Sequence, residues 1–243
     1  MTISAKSTLA IIGLLNLMSA GCAKFPETGV NTFTKRLILT MRVSGEVQSG
    51  QNVGKQYIYV FPLRVSTDIN PSDGPKPVIS GVSGNGNGMI SGACTDFILY
   101  NPQSSNAFEI WHFQDSTLTA ATLVGYAISR SDPRDGAAPS LLQCELDLSQ
   151  IVPATDVPTI QSVQCNFMSM DRKALNGISH VWDSLGNSRL ATEFNTFLRF
   201  DLNSSRKITN SQAQLEPQTL DVNGSDDPDL DISDWSVEVL LQQ

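Results

Sequence analysis

The stretch KRLILTMRV, residues 35–43, decides the fold, because large apolar side chains occupy every second position from Leu37 to Val43. The apolar members on one face are Leu37, Leu39, Met41 and Val43. A repeat of two residues places alternate side chains on opposite faces of a β-strand. Residues 35–43 therefore predict a strand with one face turned toward a core.

Similar runs recur as far as residue 241, separated by turns rich in Gly, Pro, Asn and Asp. They are 57–65, 97–100, 108–113, 123–128, 142–148, 160–168, 194–202 and 235–241. No stretch after residue 34 keeps a helical apolar repeat over three turns. We therefore expect an all-β fold, an antiparallel β-sandwich of Ig-like or jelly-roll type with about nine strands and long loops.

Three hairpins are predicted by pairing strands so that the core-facing side chains of one strand lie opposite those of the other. The first pairs residues 37–47 with 55–65 around Gln51. The second turns at residues 153–158 and places Cys144 opposite Cys165. The third turns at residues 102–106 and places Asp96 opposite His112.

The first twenty-two residues have the features of an export signal. Lys6 gives a positive start, residues 9–18 (LAIIGLLNLM) form a short apolar segment, and Ser19-Ala20-Gly21 precede Cys22. This arrangement resembles a bacterial lipoprotein signal. The resemblance implies cleavage before Cys22 and a diacylglycerol on its thiol, which anchors the mature chain to a membrane.

The resemblance also sets the predicted organisation of the chain. Residues 1–21 form the signal peptide, residues 22–34 a polar tether, and residues 35–243 a single β-sandwich domain. The residue after the cysteine is Ala23, which is not an acidic retention signal. The resemblance therefore implies that the anchor lies in the outer membrane, in a host that has one.

Cysteine number and position bear on disulfide formation. With Cys22 lipidated, Cys94, Cys144 and Cys165 remain, so at least one thiol has no partner within the chain. The second predicted hairpin favours a Cys144–Cys165 disulfide, because export permits such bonds. The alternative is that these cysteines are unpaired apolar side chains of the core.

The net charge of −8 is concentrated at the C-terminus. Residues 216–243 hold eight acidic side chains and no basic one. A chain of this charge does not fit a nucleic-acid-binding protein. Oxygen ligands at close spacing suit Ca²⁺, which the sequence allows but does not require. The candidate ligands are Asp221, Asn223, Asp226, Asp227, Asp229 and Asp231. The alternative is a hydrated acidic loop.

The aromatic residues bear on whether the chain binds sugars. Most of them fall inside the alternating runs and are expected in the core. Trp182 lies in a polar context and is the candidate ligand-binding residue.

Two groups of residues resemble parts of hydrolase active sites. Residues 182–187 (WDSLGN) resemble part of the GDSL block of lipases and esterases, but no histidine follows His180 to act as the base. We interpret residues 183–187 as a turn. Asp96 opposite His112 could orient a general base, although the sequence identifies no nucleophile for it.

These observations give three functional hypotheses. The first is a non-enzymatic structural or interaction module of the cell envelope, whose protein or glycan partner the sequence does not identify. The second is a carbohydrate-binding module stabilised by calcium. The third, a hydrolase, has the least support because no catalytic set is complete.

Overall fold

The computed structural model describes residues 34–49, 57–78, 88–171, 181–190, 196–215, 221–222 and 226–242. They belong to one compact unit, Phe33–Gln243. The predicted signal, Cys22 and the tether up to residue 33 lie outside the described residues.

Fifteen strands are described, and they account for nearly all of the regular structure. They are β1 (Thr34–Val43), β2 (Tyr57–Ser66), β3 (Pro75–Pro77), β4 (Ile90–Gly92), β5 (Asp96–Tyr100), β6 (Phe108–Phe113), β7 (Ala121–Tyr126), β8 (Ile128–Ser131), β9 (Leu141–Asp147), β10 (Ser162–Cys165), β11 (Met168–Asp171), β12 (Val181–Ser184), β13 (Leu198–Asp201), β14 (Arg206–Thr209) and β15 (Ile232–Gln242). One helical turn, α1 (Asn210–Ala213), and three short 3-10 turns, Pro133–Asp135, Leu148–Gln150 and Val157–Thr159, complete the set.

The predicted all-β antiparallel sandwich is confirmed, but the expected number of strands was too low. Two of the predicted runs are each divided between two strands. Residues 160–168 contribute to β10 and β11, and residues 123–128 contribute to β7 and β8. The short strands β3 and β4 also pair within turn-rich sequence that has no alternating pattern.

Sheet A, the five-stranded sheet, has β1 as its central strand in the order β14-β15-β1-β9-β8. β1 pairs with β15 over ten residues, from Thr34 opposite Gln242 to Val43 opposite Ile232. On its other edge it pairs with β9, with Leu39 opposite Cys144. All of these pairings are antiparallel.

Sheet B has eight strands, and β2 lies at its centre. Its main path is β12-β11-β2-β5-β6-β7. One edge of β2 pairs with β5, while the opposite edge is shared by β11 and β10, and β10 also pairs with β13. The chain passes between these two short partners at Asn166, whose backbone N–H donates to the carbonyl of Pro62 in β2 at 3.1 Å.

The main core lies between the two sheets. Sheet A contributes Leu37 and Leu39 from β1 and Trp235 from β15, and sheet B contributes Phe61 from β2. Each of these side chains is at most 1% exposed. A second cluster lies on the other face of sheet B, where Ile90 of β4 packs with side chains of β2, β5 and β11. Sheet B therefore contributes buried apolar side chains on both faces.

The predicted registers have different outcomes. The third hairpin is confirmed, because Asp96 lies opposite His112, and Tyr100 lies opposite Phe108. The first is wrong, since β1 pairs with β15 and β9, whereas β2 pairs with β5, β10 and β11. The second is also wrong, because β9 and β10 lie in different sheets. Alternation fixes which face of a strand is buried, and several partners satisfy that condition equally.

The proposed Cys144–Cys165 disulfide is also wrong, since Cys94, Cys144 and Cys165 are free thiols. Cys144 lies opposite Leu39 in sheet A, and Cys165 lies opposite Leu63 in sheet B. Burial raises the pKa of all three thiols, that of Cys94 to about 12. Each thiol is therefore an apolar component of the packed interior and a poor nucleophile.

Candidate functional site

Three of the six candidate calcium ligands, Asp226, Asp227 and Asp229, do not belong to a group of side chains that could hold a metal ion. Asp226 is 85% exposed at its side chain and forms a salt bridge with Arg189 at 2.6 Å. Asp227 accepts a hydrogen bond from the hydroxyl of Tyr57 at 2.5 Å and another from the backbone N–H of Asp229. These side chains have protein partners and do not converge on one point. Asn223 lies outside the described residues.

Asp229 holds the chain that leaves β1. Its Oδ1 accepts a hydrogen bond from the backbone N–H of Glu46 at 2.9 Å, and its Oδ2 accepts one from Nε2 of Gln48 at 2.6 Å. The side chain is buried, and its carboxylate replaces the water that these donors would otherwise bind. Asp229 is therefore a connector between two loops.

Two other residues of the predicted set, Asp221 and Asp231, meet a third carboxylate that the sequence analysis assigned to a turn. This residue is Asp183 in β12. One carboxylate oxygen from each of Asp183, Asp221 and Asp231 lies within 4.8 Å of the others, and all three residues are buried. We call these residues the carboxylate cluster. Among the described residues it is the one group of three acidic, His or Cys side chains spaced to hold a metal ion.

Local hydrogen bonds fix the orientation of the cluster. Asp183 accepts from the backbone N–H of Ser184 at 2.9 Å, from the Ser188 hydroxyl at 2.6 Å and from the backbone N–H of Ile232 at 2.6 Å. Ser188 also donates its backbone N–H to Oδ2 of Asp221 at 3.0 Å. The turn after β12 thus supports two of the three carboxylates.

A further bond connects the cluster to β1. The hydroxyl of Ser44, directly after β1, donates to Oδ2 of Asp231. The backbone N–H of Ser44 also donates to the carbonyl oxygen of Asp231, at 2.8 Å. The cluster therefore joins β12, the segment at residues 221–222 and the junction of β1 with β15.

Burial and mutual repulsion both oppose ionisation in the cluster. Burial raises the pKa of Asp183 well above its usual range, and the nearby charge of Asp221 raises it further, against the hydrogen bond from Ser188. Burial also raises the pKa of Asp221 to about 6, with a contribution from the charge of Asp231. Such an arrangement can hold protons, or it can hold a cation that neutralises the charges.

The Asp96–His112 pair is present, with Nδ1 of His112 2.7 Å from Oδ1 of Asp96. Burial raises the pKa of Asp96, and its hydrogen bond with His112 opposes that change. The ring lines an open pocket of about 630 Å³ together with Arg64 and Ser116. No serine or threonine hydroxyl among the described residues forms a hydrogen bond with His112, so no complete triad is formed there.

The aromatic side chains offer little surface for sugar stacking in the described part of the chain. Tyr59, Tyr100 and Trp235 are at most 2% exposed. Trp111 stacks on Phe97 with the two planes 5° apart. Trp182 is half-buried in β12. Its role in ligand binding stays a prediction.

Comparison with protein-family models, curated proteins and solved structures gives no match for this chain. In the described part of the chain, no helix has the length and hydrophobicity needed to cross a membrane.

The sequence analysis missed Asp183 because Gly186 and Asn187 predict a turn. A turn does follow, and Gly186 has a positive φ of 98°. Asp183 itself, however, belongs to the strand before that turn and lies opposite Ser169 of β11. The available signal was Val181, two positions before Asp183, because residues two apart in a strand share a face and here both are buried.

Replacing Asp229 with Ala tests its role as a connector. The Asp229→Ala variant leaves the Glu46 N–H and the Gln48 amide without their acceptor, so we expect the free energy of unfolding to fall by about 2–4 kcal/mol. Urea denaturation measures this change. The exposed Asp234→Ala variant is the control and should stay within about 0.5 kcal/mol of wild type. Equal effects of the two substitutions would contradict the assignment.

The carboxylate cluster also predicts a pH dependence in the presence of EDTA. Because the folded state raises the pKa of Asp221 to about 6, it binds more protons than the unfolded chain, and stability falls as pH rises through this range. From pH 5 to pH 7, Asp221 alone should lower the free energy of unfolding by about 1.4 kcal/mol, the equivalent of one pKa unit.

Urea denaturation at both pH values, with Asp221→Asn beside wild type, measures that contribution. Asp221→Asn should reduce the pH-dependent loss, whereas the exposed Asp226→Asn variant should keep it. An unchanged loss in Asp221→Asn would show that Asp221 ionises freely.

Proposed function

We propose that the chain is an exported, lipid-anchored β-sandwich of the bacterial cell envelope that acts as a non-enzymatic interaction module. The resemblance of residues 1–22 to a lipoprotein signal supports the anchor. Eleven residues, 23–33, would then connect the lipidated cysteine to the first strand. Extended, they reach about 40 Å, which lets the domain contact partners away from the lipid surface.

One observation carries the interaction role: an apolar surface where edge strands of the two sheets meet. β7 ends the main path of sheet B, β8 ends sheet A, and only Ala127 lies between them in the chain. Four side chains of this region, which we call the apolar edge, are 38–57% exposed: Leu123, Val124, Tyr126 and Ile128. They are four of the six exposed large hydrophobic side chains among the described residues.

Of the two edge strands, β7 contains no charged residue, whereas β8 contains Arg130, whose guanidinium forms a salt bridge with Glu145. The strand β7 therefore lacks the charged side chains that commonly prevent edge strands from pairing. At the opposite edge of sheet A, β14 carries two basic residues, Arg206 and the exposed Lys207. A grouped apolar surface on an edge strand is typical of a protein-binding site. We therefore propose that the partner contacts this edge through apolar side chains and strand backbone.

Sugar binding has less support as the alternative, because the described tryptophans and most of the tyrosines are buried or half-buried. Tyr126 is exposed but lies in the apolar edge. A hydrolase has less support still, because His112 has no hydroxyl partner among the described residues.

Replacing Cys22 with Ser tests the anchor. The thiol is the proposed site of the diacylglycerol, so Cys22→Ser should move the protein from the membrane fraction to the soluble fraction of the envelope. Fractionation followed by immunoblotting measures the distribution, and Cys94→Ser is the control that should stay with the membrane. Retention of Cys22→Ser in the membrane fraction to the same extent as wild type would contradict lipid anchoring at this residue.

Site-specific photo-crosslinking in cells tests the apolar edge. A benzophenone side chain at position 124 should give a light-dependent adduct of defined mass, since a bound partner covers this position. The matched control carries the same group at position 207, on the opposite edge of sheet A. Absence of an adduct at position 124, or the same adduct at both positions, would contradict the proposal.

A further inference from the structure

We propose that the carboxylate cluster binds one Ca²⁺ ion through Asp183, Asp221 and Asp231. This site differs from the acidic loop predicted from the sequence, because Asp226, Asp227 and Asp229 have other partners and Asp183 joins instead. The inference is independent of the lipid anchor and of the apolar edge.

Distance supports a single ion. The three oxygens lie within 4.8 Å of one another. Ca²⁺ binds oxygen at about 2.3–2.6 Å, so two oxygens on opposite sides of one ion lie about 4.6–5.2 Å apart. Oxygens within 4.8 Å of one another therefore lie close enough to share one Ca²⁺. Mg²⁺ usually keeps several waters and takes one or two carboxylates, whereas the larger coordination shell of Ca²⁺ accommodates three.

Hydrogen bonding supplies an independent observation. Oδ1 of Asp221 is buried and has no hydrogen-bond partner, although its Oδ2 accepts from Ser188. The whole residue is 2% exposed. A buried carboxylate oxygen without a donor loses its hydration with no compensation, a condition that native proteins rarely tolerate. A metal ion between the carboxylates gives this oxygen a partner.

Charge leads to the same conclusion. Neither Asp183 nor Asp221 forms a salt bridge with a described Lys or Arg. The nearby Arg189 forms its salt bridge with the exposed Asp226 and acts on Asp221 only through longer-range attraction. Ionised Asp183 and Asp221 would place two negative charges side by side in a buried volume, and a divalent ion removes most of that repulsion.

The rest of the coordination sphere is open to other oxygens. Three carboxylates supply from three to six of the six to eight oxygen ligands that Ca²⁺ takes, since each can bind through one oxygen or two. Water or backbone carbonyls complete the shell. The three ligands come from positions 183, 221 and 231, so bound Ca²⁺ connects segments far apart in sequence and binds the folded state in preference to the unfolded one.

Calorimetric titration of the full-length protein tests the site. The protein is purified in detergent, stripped with EDTA and titrated with CaCl₂ at pH 7.5. We expect one Ca²⁺ per chain, with tighter binding than MgCl₂ shows in a parallel titration. At a free Ca²⁺ concentration of one hundred times Kd, Tm should rise by about 5–10 °C, because the ion stabilises only the folded state.

Asp221→Asn is the informative variant, since it keeps the shape of the side chain and removes one charge. Affinity for Ca²⁺ should fall at least tenfold. In EDTA the variant should be as stable as wild type or more so, because it removes repulsion, so a loss of binding is separable from a loss of folding. The exposed Asp226→Asn variant is the matched control and should bind like wild type.

Several results would overturn the assignment. They are the absence of saturable heat and of a Tm shift at 5 mM CaCl₂, equal binding by Asp221→Asn and wild type, or tighter binding of Mg²⁺ than of Ca²⁺. Stabilisation of wild type by acid, combined with no response to Ca²⁺, would assign protons to the cluster in place of the ion.

Discussion

The antiparallel pairing of β1 with β15 is the interaction on which the position of the carboxylate cluster depends. The first and last strands of the described chain run side by side, and their register places residues 228–231 across the exit from β1. The N–H of Gly45 donates to the carbonyl of Pro228 at 2.7 Å. A Cβ at Gly45 would clash with Oδ1 of Asp229 and lie 2.8 Å from the carbonyl carbon of Pro228, so this crossing requires glycine.

Where the segment before β15 crosses the end of β1, its Asp side chains meet different surroundings. Asp229 is surrounded by donors from the segment after β1 and needs no ion. Asp221 and Asp231 lie against Asp183 instead, and the hydrogen bonds they accept leave Oδ1 of Asp221 without a partner. Aspartates of one acidic segment therefore differ in role: Asp229 connects two loops through hydrogen bonds, whereas Asp221 and Asp231 belong to the carboxylate cluster. The acidic composition of the segment does not show which aspartate has which role.

Sequence reasoning succeeded where a single strand or a short connection determines the result. Alternation placed Leu37 and Leu39 in the core, and the short link between β5 and β6 was enough to predict Asp96 opposite His112. It failed where partners are distant, because β1 satisfies the same alternation against β2 as against β15. The disulfide failed for the same reason, since it depended on a wrongly paired strand. Asp183 was missed because the turn signals Gly186 and Asn187 follow the end of β12 at Ser184 so closely that the predicted turn covered residues 183–187.

Neighbouring strands of sheet A are far apart in the sequence, and this separation affects when the protein can fold. β1 remains without one of its two neighbours until residues 232–242 are available, and closing a loop of roughly 190 residues carries an entropic cost that only the completed core offsets. Contacts so distant in sequence are typical of slow folding. The edge of β1 that faces β15 therefore stays open until residues 232–242 have folded against it, and this pairing controls when the sandwich closes.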